Sequence, residues 1–483
     1  MRQRPNFVFV MSDDHAAHAI SAYGSRVNAT PHIDRLAAEG MRFDNCFCSN
    51  SICAPRRAAI LTGTYNHVNG VTTLSAPFDS SQPTFPAVLQ ATGYQTAIVG
   101  KWHLGHGEGH DPVGFDEWRV LPEQGEYHDP EFLDANGSER VHGYVTDIIT
   151  DLSLDWISRR DRARPFCVLV HHKAPHRSWE PDARHQGLYT EKEMREPVTF
   201  RDDYTNRSTA ASRARMRMTD LWPEDVKEVP PEGLIGEELD SWLYQRYVKE
   251  YLRCVASIDD NMGRLLDFLD AEGLGENTVV VYTSDQGFFL GDHGWFDKRF
   301  MYEESLRMPL LVRYPAEVPA ASVCRDLVLN VDFAQTLLDL ADTTGPSRMQ
   351  GCSLRGLLRG ERPIGWRRAV YYRYWEHDDG SHGVRAHYGV RTQRYKLIYY
   401  YNDGLDQPGA SDTVFPPEWE LFDLESDPYE LRSVYDDPAY ATVREDLTRE
   451  LRRQQHAIGD RPHPSEDEEE CPISTENGDP SAT

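Results

Sequence analysis

Four short apolar runs, each ending in charged or titratable residues and separated by helix-like segments, constrain this chain most. Asn6–Met11, Gln95–Val99, Phe166–Val170 and Thr278–Thr283 read as strands buried on both faces. The last follows a long amphipathic stretch with apolar residues at Val248, Leu252, Val255, Ile258, Met262, Leu265 and Leu269. Thr30-Pro31 opens an earlier helix, with threonine as N-cap and proline in the first turn, and Gly40 closes it. Alternating helices and buried strands predict a doubly wound α/β domain. Open parallel sheets bind ligands beyond the carboxyl ends of their strands. Asp13-Asp14, Lys101 with His103, His176, and Asp285-Gln286 follow the four strands in turn. Four strands thus deliver polar groups to one edge.

The rest of the chain divides by composition. Residues 1–360 are expected to form the α/β domain, with a polar, irregular excursion over the sheet edge at about 177–241. Ala369–Trp375, Tyr388–Arg391, Tyr395–Tyr401 and Trp419–Asp423 predict a small antiparallel sheet, and Ala439–Ala457 a closing helix, making 361–460 a smaller α+β subdomain. Residues 461–483, with Ser465-Glu466-Asp467-Glu468-Glu469-Glu470, are expected to be a disordered acidic tail.

Paired aspartates after the first strand and an Asp-Gln after a distant one supply hard oxygen ligands, suited to Ca²⁺ or Mg²⁺ rather than zinc. Cys53-Ala54-Pro55-Arg56-Arg57 places a thiol at a helix N-terminus, with Arg57 on the same face and Gly63 as the stop. That is an anion site holding a reactive group. The cysteines, at 46, 48, 53, 167, 254, 324, 352 and 471, form no disulfide framework and fit no zinc spacing. A formal charge of −27 argues against nucleic acid or another long polyanion as partner, so an anionic substrate must meet a locally cationic pocket. No apolar run is long enough to cross a bilayer, and Met1–Pro5 leads straight into a strand, so the expectation is a cytoplasmic chain. The oligomeric state is not legible.

The run Ser51-Ile52-Cys53-Ala54-Pro55-Arg56-Arg57-Ala58-Ala59-Ile60-Leu61-Thr62-Gly63 resembles the signature of the formylglycine-dependent sulfatases. The resemblance implies an alkaline-phosphatase-like fold and hydrolysis of a sulfate monoester. It implies that a formylglycine-generating enzyme oxidises Cys53 to an aldehyde. Arg57 would hold the aldehyde hydrate and the sulfate, while Lys101 would bind a sulfate oxygen and the hydrate. His103 would bond the second hydroxyl, and His176 and Lys298 would flank the bridging oxygen. Asp13, Asp14, Asp285 and Gln286 would hold one divalent cation, usually calcium, with magnesium the alternative. Gln286 stands where asparagine is commoner.

Ser284–Arg299, Met301–Glu304, His387–Arg391 and Trp419–Leu424 are similar to the N-acetylglucosamine-6-sulfatase and mucin-desulfating branch, implying a 6-sulfated amino sugar or related saccharide as substrate. Formylglycine-dependent arylsulfatases and phosphonate or phosphate ester hydrolases share Cys53, Arg57 and the metal ligands. A sulfatase-like binding protein without turnover is the remaining alternative.

Overall fold

The computed structural model describes residues 4–25 and 27–466. Its sixteen strands are β1 Asn6–Ser12, β2 Met41–Phe43, β3 Cys46–Phe47, β4 Gln95–Lys101, β5 Glu117–Leu121, β6 Glu131–Asp134, β7 Gly137–Arg140 and β8 Phe166–His171; then β9 Thr278–Ser284, β10 Leu310–Arg313, β11 Ser322–Cys324, β12 Val328–Leu329, β13 Ala369–Tyr374, β14 His387–Thr392, β15 Tyr395–Tyr400 and β16 Glu418–Asp423. Ten of them form one sheet in the order β11-β2-β10-β9-β1-β8-β4-β5-β6-β7. The central five, β9 to β5, are mutually parallel, and antiparallel strands extend both sides.

The four apolar runs are the heart of this sheet, and β1, β4, β8 and β9 are buried along their whole length. A fully covered parallel strand needs apolar residues on both faces, which is why these runs do not alternate. Phe9 packs between Phe85 and Phe333, with ring centroids 6.4 and 6.1 Å away. Each strand runs one or two residues past its sequence-expected end, so Lys101 belongs to β4 rather than following it. Gly100 makes that ending possible. Its φ is +104°, and a Cβ there would lie 2.0 Å from the His171 carbonyl oxygen on the neighbouring strand.

The helix after Thr30 spans Pro31–Glu39, but Thr30 is not its side-chain cap. Its hydroxyl bonds Ser21 and Asp34, and the open N–H groups of His32 and Ile33 donate instead to Asp259 of the long helix Gly236–Ala271. A tertiary carboxylate has displaced the local cap. The excursion at 177–241 is broken by short helices at Thr209–Arg213 and Pro223–Val226, and its last residues already belong to the long helix.

Strands β13 to β16 form a separate antiparallel sheet, flanked by the helix Ala441–Ile458. This sheet reaches back into the larger body: Arg373 N donates to Ser49 O at 3.0 Å, and the Tyr372 hydroxyl donates to Arg299 O at 2.5 Å. The expected tail from 461 does not begin disordered. Ser465 Oγ lies 2.8 Å from the Tyr399 hydroxyl, and the buried Glu466 accepts from Tyr388 and Arg452. The remaining tail, 467–483, lies outside the described residues.

Candidate active site

The helix Cys53–Thr62 begins at the cysteine and ends at Gly63, whose φ of +63° suits a glycine stop. Every residue of this helix is buried, so its N-terminus lies inside the protein at the carboxyl edge of the sheet. Arg57, one turn on, points back along that edge. Its Nη1 donates to Lys101 O at 2.8 Å and its Nη2 to Asp285 Oδ2 at 3.2 Å, with Asp13 Oδ1 3.9 Å away.

Adjacent parallel strands bring the acids together. In the β1–β9 register Ser12 faces Ser284, so Asp13-Asp14 and Asp285-Gln286 leave the sheet side by side. Asp285 N donates to Ser12 O at 3.0 Å, and Asp14 N donates to Asp285 Oδ1 at the same distance. Asp13, Asp14 and Asp285 each place a carboxylate oxygen within 4.8 Å of the other two, and all three residues are fully buried. Gln286 Nε2 donates to Asp14 Oδ1 and lies 3.7 Å from Cys53 Sγ, while its buried Oε1 has no partner among the described residues.

The cations close round this cluster. Lys101 Nζ donates to Asp13 Oδ2, and Lys298 Nζ donates to Asp14 Oδ2 at 2.8 Å. His176 Nε2 lies 3.8 Å from the same Asp14 oxygen, and the Cys53 sulfur, His176 and Asp13 have donor atoms within 4.8 Å of one another. His176 Nδ1 is held 2.8 Å from Arg177 O, and the Tyr127 hydroxyl donates to His176 O at 2.6 Å. His103 approaches through Gln124, with 3.2 Å between Gln124 Nε2 and His103 Nε2. All ten residues singled out in the sequence therefore gather at this one edge.

Burial and neighbouring charges shift the titrating groups of the site in opposite directions. Burial pushes the Asp14 carboxyl up, against the pull of Lys298, and burial together with Asp13 pushes Asp285 up. Asp13 moves down: burial opposes this, but Lys101 and Arg57 outweigh it. Burial and Lys101 hold His103 and His176 well below the usual imidazole range. Lys298 is pushed up despite burial, by Asp14 and Asp297. Three buried carboxylates, with Asp13 Oδ1 and the Gln286 amide oxygen lacking hydrogen-bond partners among the described residues, make a donor set that fits a hard divalent cation.

Sequence reasoning missed Gln124, which follows a half-buried strand and belongs to no recognisable motif. It also missed Asp297, whose Oδ1 accepts from Lys298 N at 2.9 Å and whose other oxygen lies 3.5 Å from His382 Nε2. Other histidines near this edge take structural partners: His15 bonds the Tyr282 hydroxyl, His171 faces Lys101 O, and His293 bonds Asp202. Trp295 is fully buried against Phe300 and Tyr204.

A sulfur at a buried helix N-terminus, cations on three sides and a carboxylate cluster beneath define a hydrolase of anionic esters on an alkaline-phosphatase-like fold. Comparison with known proteins narrows the class. The sulfatase family description matches residues 5–343, and a second, N-sulphoglucosamine sulphohydrolase, C-terminal, matches 291–457. The chain belongs to the sulfatase family and is a sulfuric ester hydrolase.

Among its relatives, an N-acetylglucosamine-6-O-sulfatase of Bacteroides thetaiotaomicron is 42% identical, over 95% of this chain and 87% of the relative. The human N-acetylglucosamine-6-sulfatase is 29% identical over 77% of this chain and 67% of its own. One solved structure, in complex with its substrate D-glucosamine-2-N,6-O-disulfate, matches with a TM-score of 0.88 at 41% identity, over 96% of this chain and 100% of that one. A phosphonate monoester hydrolase of Agrobacterium radiobacter shares the fold, with a TM-score of 0.74 at 21% identity over 95% or so of both chains, 94% of this one and 96% of its own.

Proposed function

We propose that this enzyme removes the 6-O-sulfate of N-acetylglucosamine or a related sulfated glucosamine saccharide. The observation that carries the substrate is the 42% identity to an N-acetylglucosamine-6-O-sulfatase over 95% of the chain. The site geometry supports the chemistry independently.

Asp13, Asp14, Asp285 and Gln286 through its free Oε1 would hold one divalent cation, calcium first and magnesium second. When present, that cation and the formylglycine made from Cys53 supply Lewis acidity and a hydrated aldehyde as nucleophile. The chain's own residues do the rest. Arg57 and Lys101, fixed to one another through the Lys101 carbonyl, present fixed positive charge to the sulfate oxygens. Lys298 keeps its proton because Asp14 and Asp297 stabilise the ammonium, so it is the charged donor at the scissile oxygen. His176 stays neutral, its Nδ1–H spent on the Arg177 carbonyl, and presents Nε2 to the departing alcohol. Proton delivery to the leaving group falls to the Lys298 ammonium, while His176 Nε2, close to the same Asp14 oxygen, is an acceptor beside it. His103, also held neutral, would hydrogen-bond the second hydroxyl of the hydrated aldehyde.

The deciding experiment measures sulfate release from 6-sulfated, 4-sulfated and N-sulfated glucosamines by the matured enzyme. Release from the 6-position alone is expected. Preference for aryl sulfates or for another ring position would overturn the substrate assignment while leaving the sulfatase family intact.

A further inference from the structure

Gln124 lies in the loop after β5, between two residues that carry the proposed chemistry. Lys101 Nζ donates to Gln124 Oε1, and Gln124 Nε2 faces His103 Nε2 at 3.2 Å. The amide has only one workable orientation. Turned over, it would aim its N–H groups at an ammonium, which has no lone pair to accept them. With Oε1 committed to Lys101, an N–H points at His103 Nε2, and that nitrogen must accept. The one imidazole hydrogen of neutral His103 then sits on Nδ1. Nδ1 is buried and has no hydrogen-bond partner among the described residues.

We propose that Gln124 is a positioning residue that transmits the fixed charge of Lys101 to His103, setting the imidazole tautomer and leaving Nδ1–H as the ring's free donor. The inference rests on the roles given above to Lys101 and His103, but its geometry does not. Lys101 is committed twice, to Asp13 and to Gln124, so the amide oxygen is anchored from the metal side of the site. His103 itself has a left-handed backbone, φ +56°, so local chain preference does not aim the ring and a side-chain contact must. An amide suits the task because it carries a donor and an acceptor at fixed separation and no charge. A glutamate of the same shape would accept from Lys101 and from a His103 Nε2–H, reversing the tautomer.

The test reads the tautomer directly. Full-length protein carrying ¹⁵N-histidine is compared by NMR with Gln124→Leu and Gln124→Glu, and a His103→Ala spectrum identifies the His103 resonances. The wild type is expected to show a protonated Nδ1 and an unprotonated Nε2. Gln124→Leu should show both tautomers in exchange and a kcat lowered on the order of 100-fold at nearly constant KM, as expected for misplacement of a reacting group. Gln124→Glu should show the reversed tautomer, with kcat lowered because Nδ1 no longer carries a hydrogen. It also keeps the test open if the leucine variant misfolds. A wild-type Nε2–H tautomer, or a Gln124→Leu enzyme with unchanged spectrum and kcat, overturns the proposal. The tautomer is read without turnover, so it stands apart from the site reading, which a fully active His103→Ala enzyme would overturn.

Discussion

Cys53 runs against the usual rule for a thiol at a helix N-terminus, where the dipole favours thiolate. Burial pushes it up to about 12, and the pull of Lys298 and Lys101 is offset by Asp13 and Asp285. The unconverted residue is therefore an inert thiol, and the reactive cysteine suggested by its helix position is not what the folded chain provides. Iodoacetamide at pH 8 should leave the Cys53 peptide unlabelled in native, unconverted protein and label it fully in urea. Labelling in the native state would show the thiol to be accessible and acidic. Arg57 invites a second substitution. Its fork spans the Lys101 carbonyl and Asp285 at once, which a lysine ammonium cannot copy. Arg57→Lys should lower kcat by about 100-fold or more, the scale of losing one preorganised donor to a developing charge, as measured by steady-state desulfation.

At the scale of elements, legibility followed a simple division. Strands β1, β4, β8 and β9 were readable because complete burial demands uninterrupted apolar runs, and the polar residues ending them were readable because ligand chemistry gathers at that edge. Gln124 was not, because a glutamine in a loop has no local pattern to betray it. The cap of the Pro31–Glu39 helix was misread for the same reason: Thr30 has the right side chain in the right place, but Asp259, more than two hundred residues away, holds the N–H groups. Asp259→Ala should therefore destabilise the protein by about 1 kcal/mol, in the range of lost caps, in urea unfolding. Thr30→Val, which keeps the shape and loses only the local hydroxyl contacts, should cost less. The reverse ranking would restore the local cap.

The whole molecule sets its charge against its substrate. A formal −27 surrounds a site where Arg57, Lys101 and Lys298 are buried. A sulfated sugar approaches against long-range repulsion and is captured only at short range. Raising ionic strength from about 10 to about 150 mM screens the first effect far more than the second, so kcat/KM should rise with salt over that range. A fall would mean that exposed cations near the mouth steer the substrate instead. Chelation should lower the melting temperature, since an ion bound only by the folded arrangement of Asp13, Asp14 and Asp285 stabilises that state, and added Ca²⁺ should restore it.

Cys53 is only 2% exposed, and part of what covers its helix start comes late in translation. Ser51 N donates to the Tyr372 hydroxyl across 321 positions of chain, and Arg373 N donates to Ser49 O. At about 5–20 residues per second, a ribosome needs roughly a quarter of a minute to a minute to bridge that gap. Oxidation of the cysteine, where it occurs, would thus race against closure while the last third of the polypeptide is still emerging. A converting enzyme of the kind proposed for Cys53 would have to reach it before the small sheet docks, so conversion of the refolded protein in vitro should fail while conversion during synthesis succeeds.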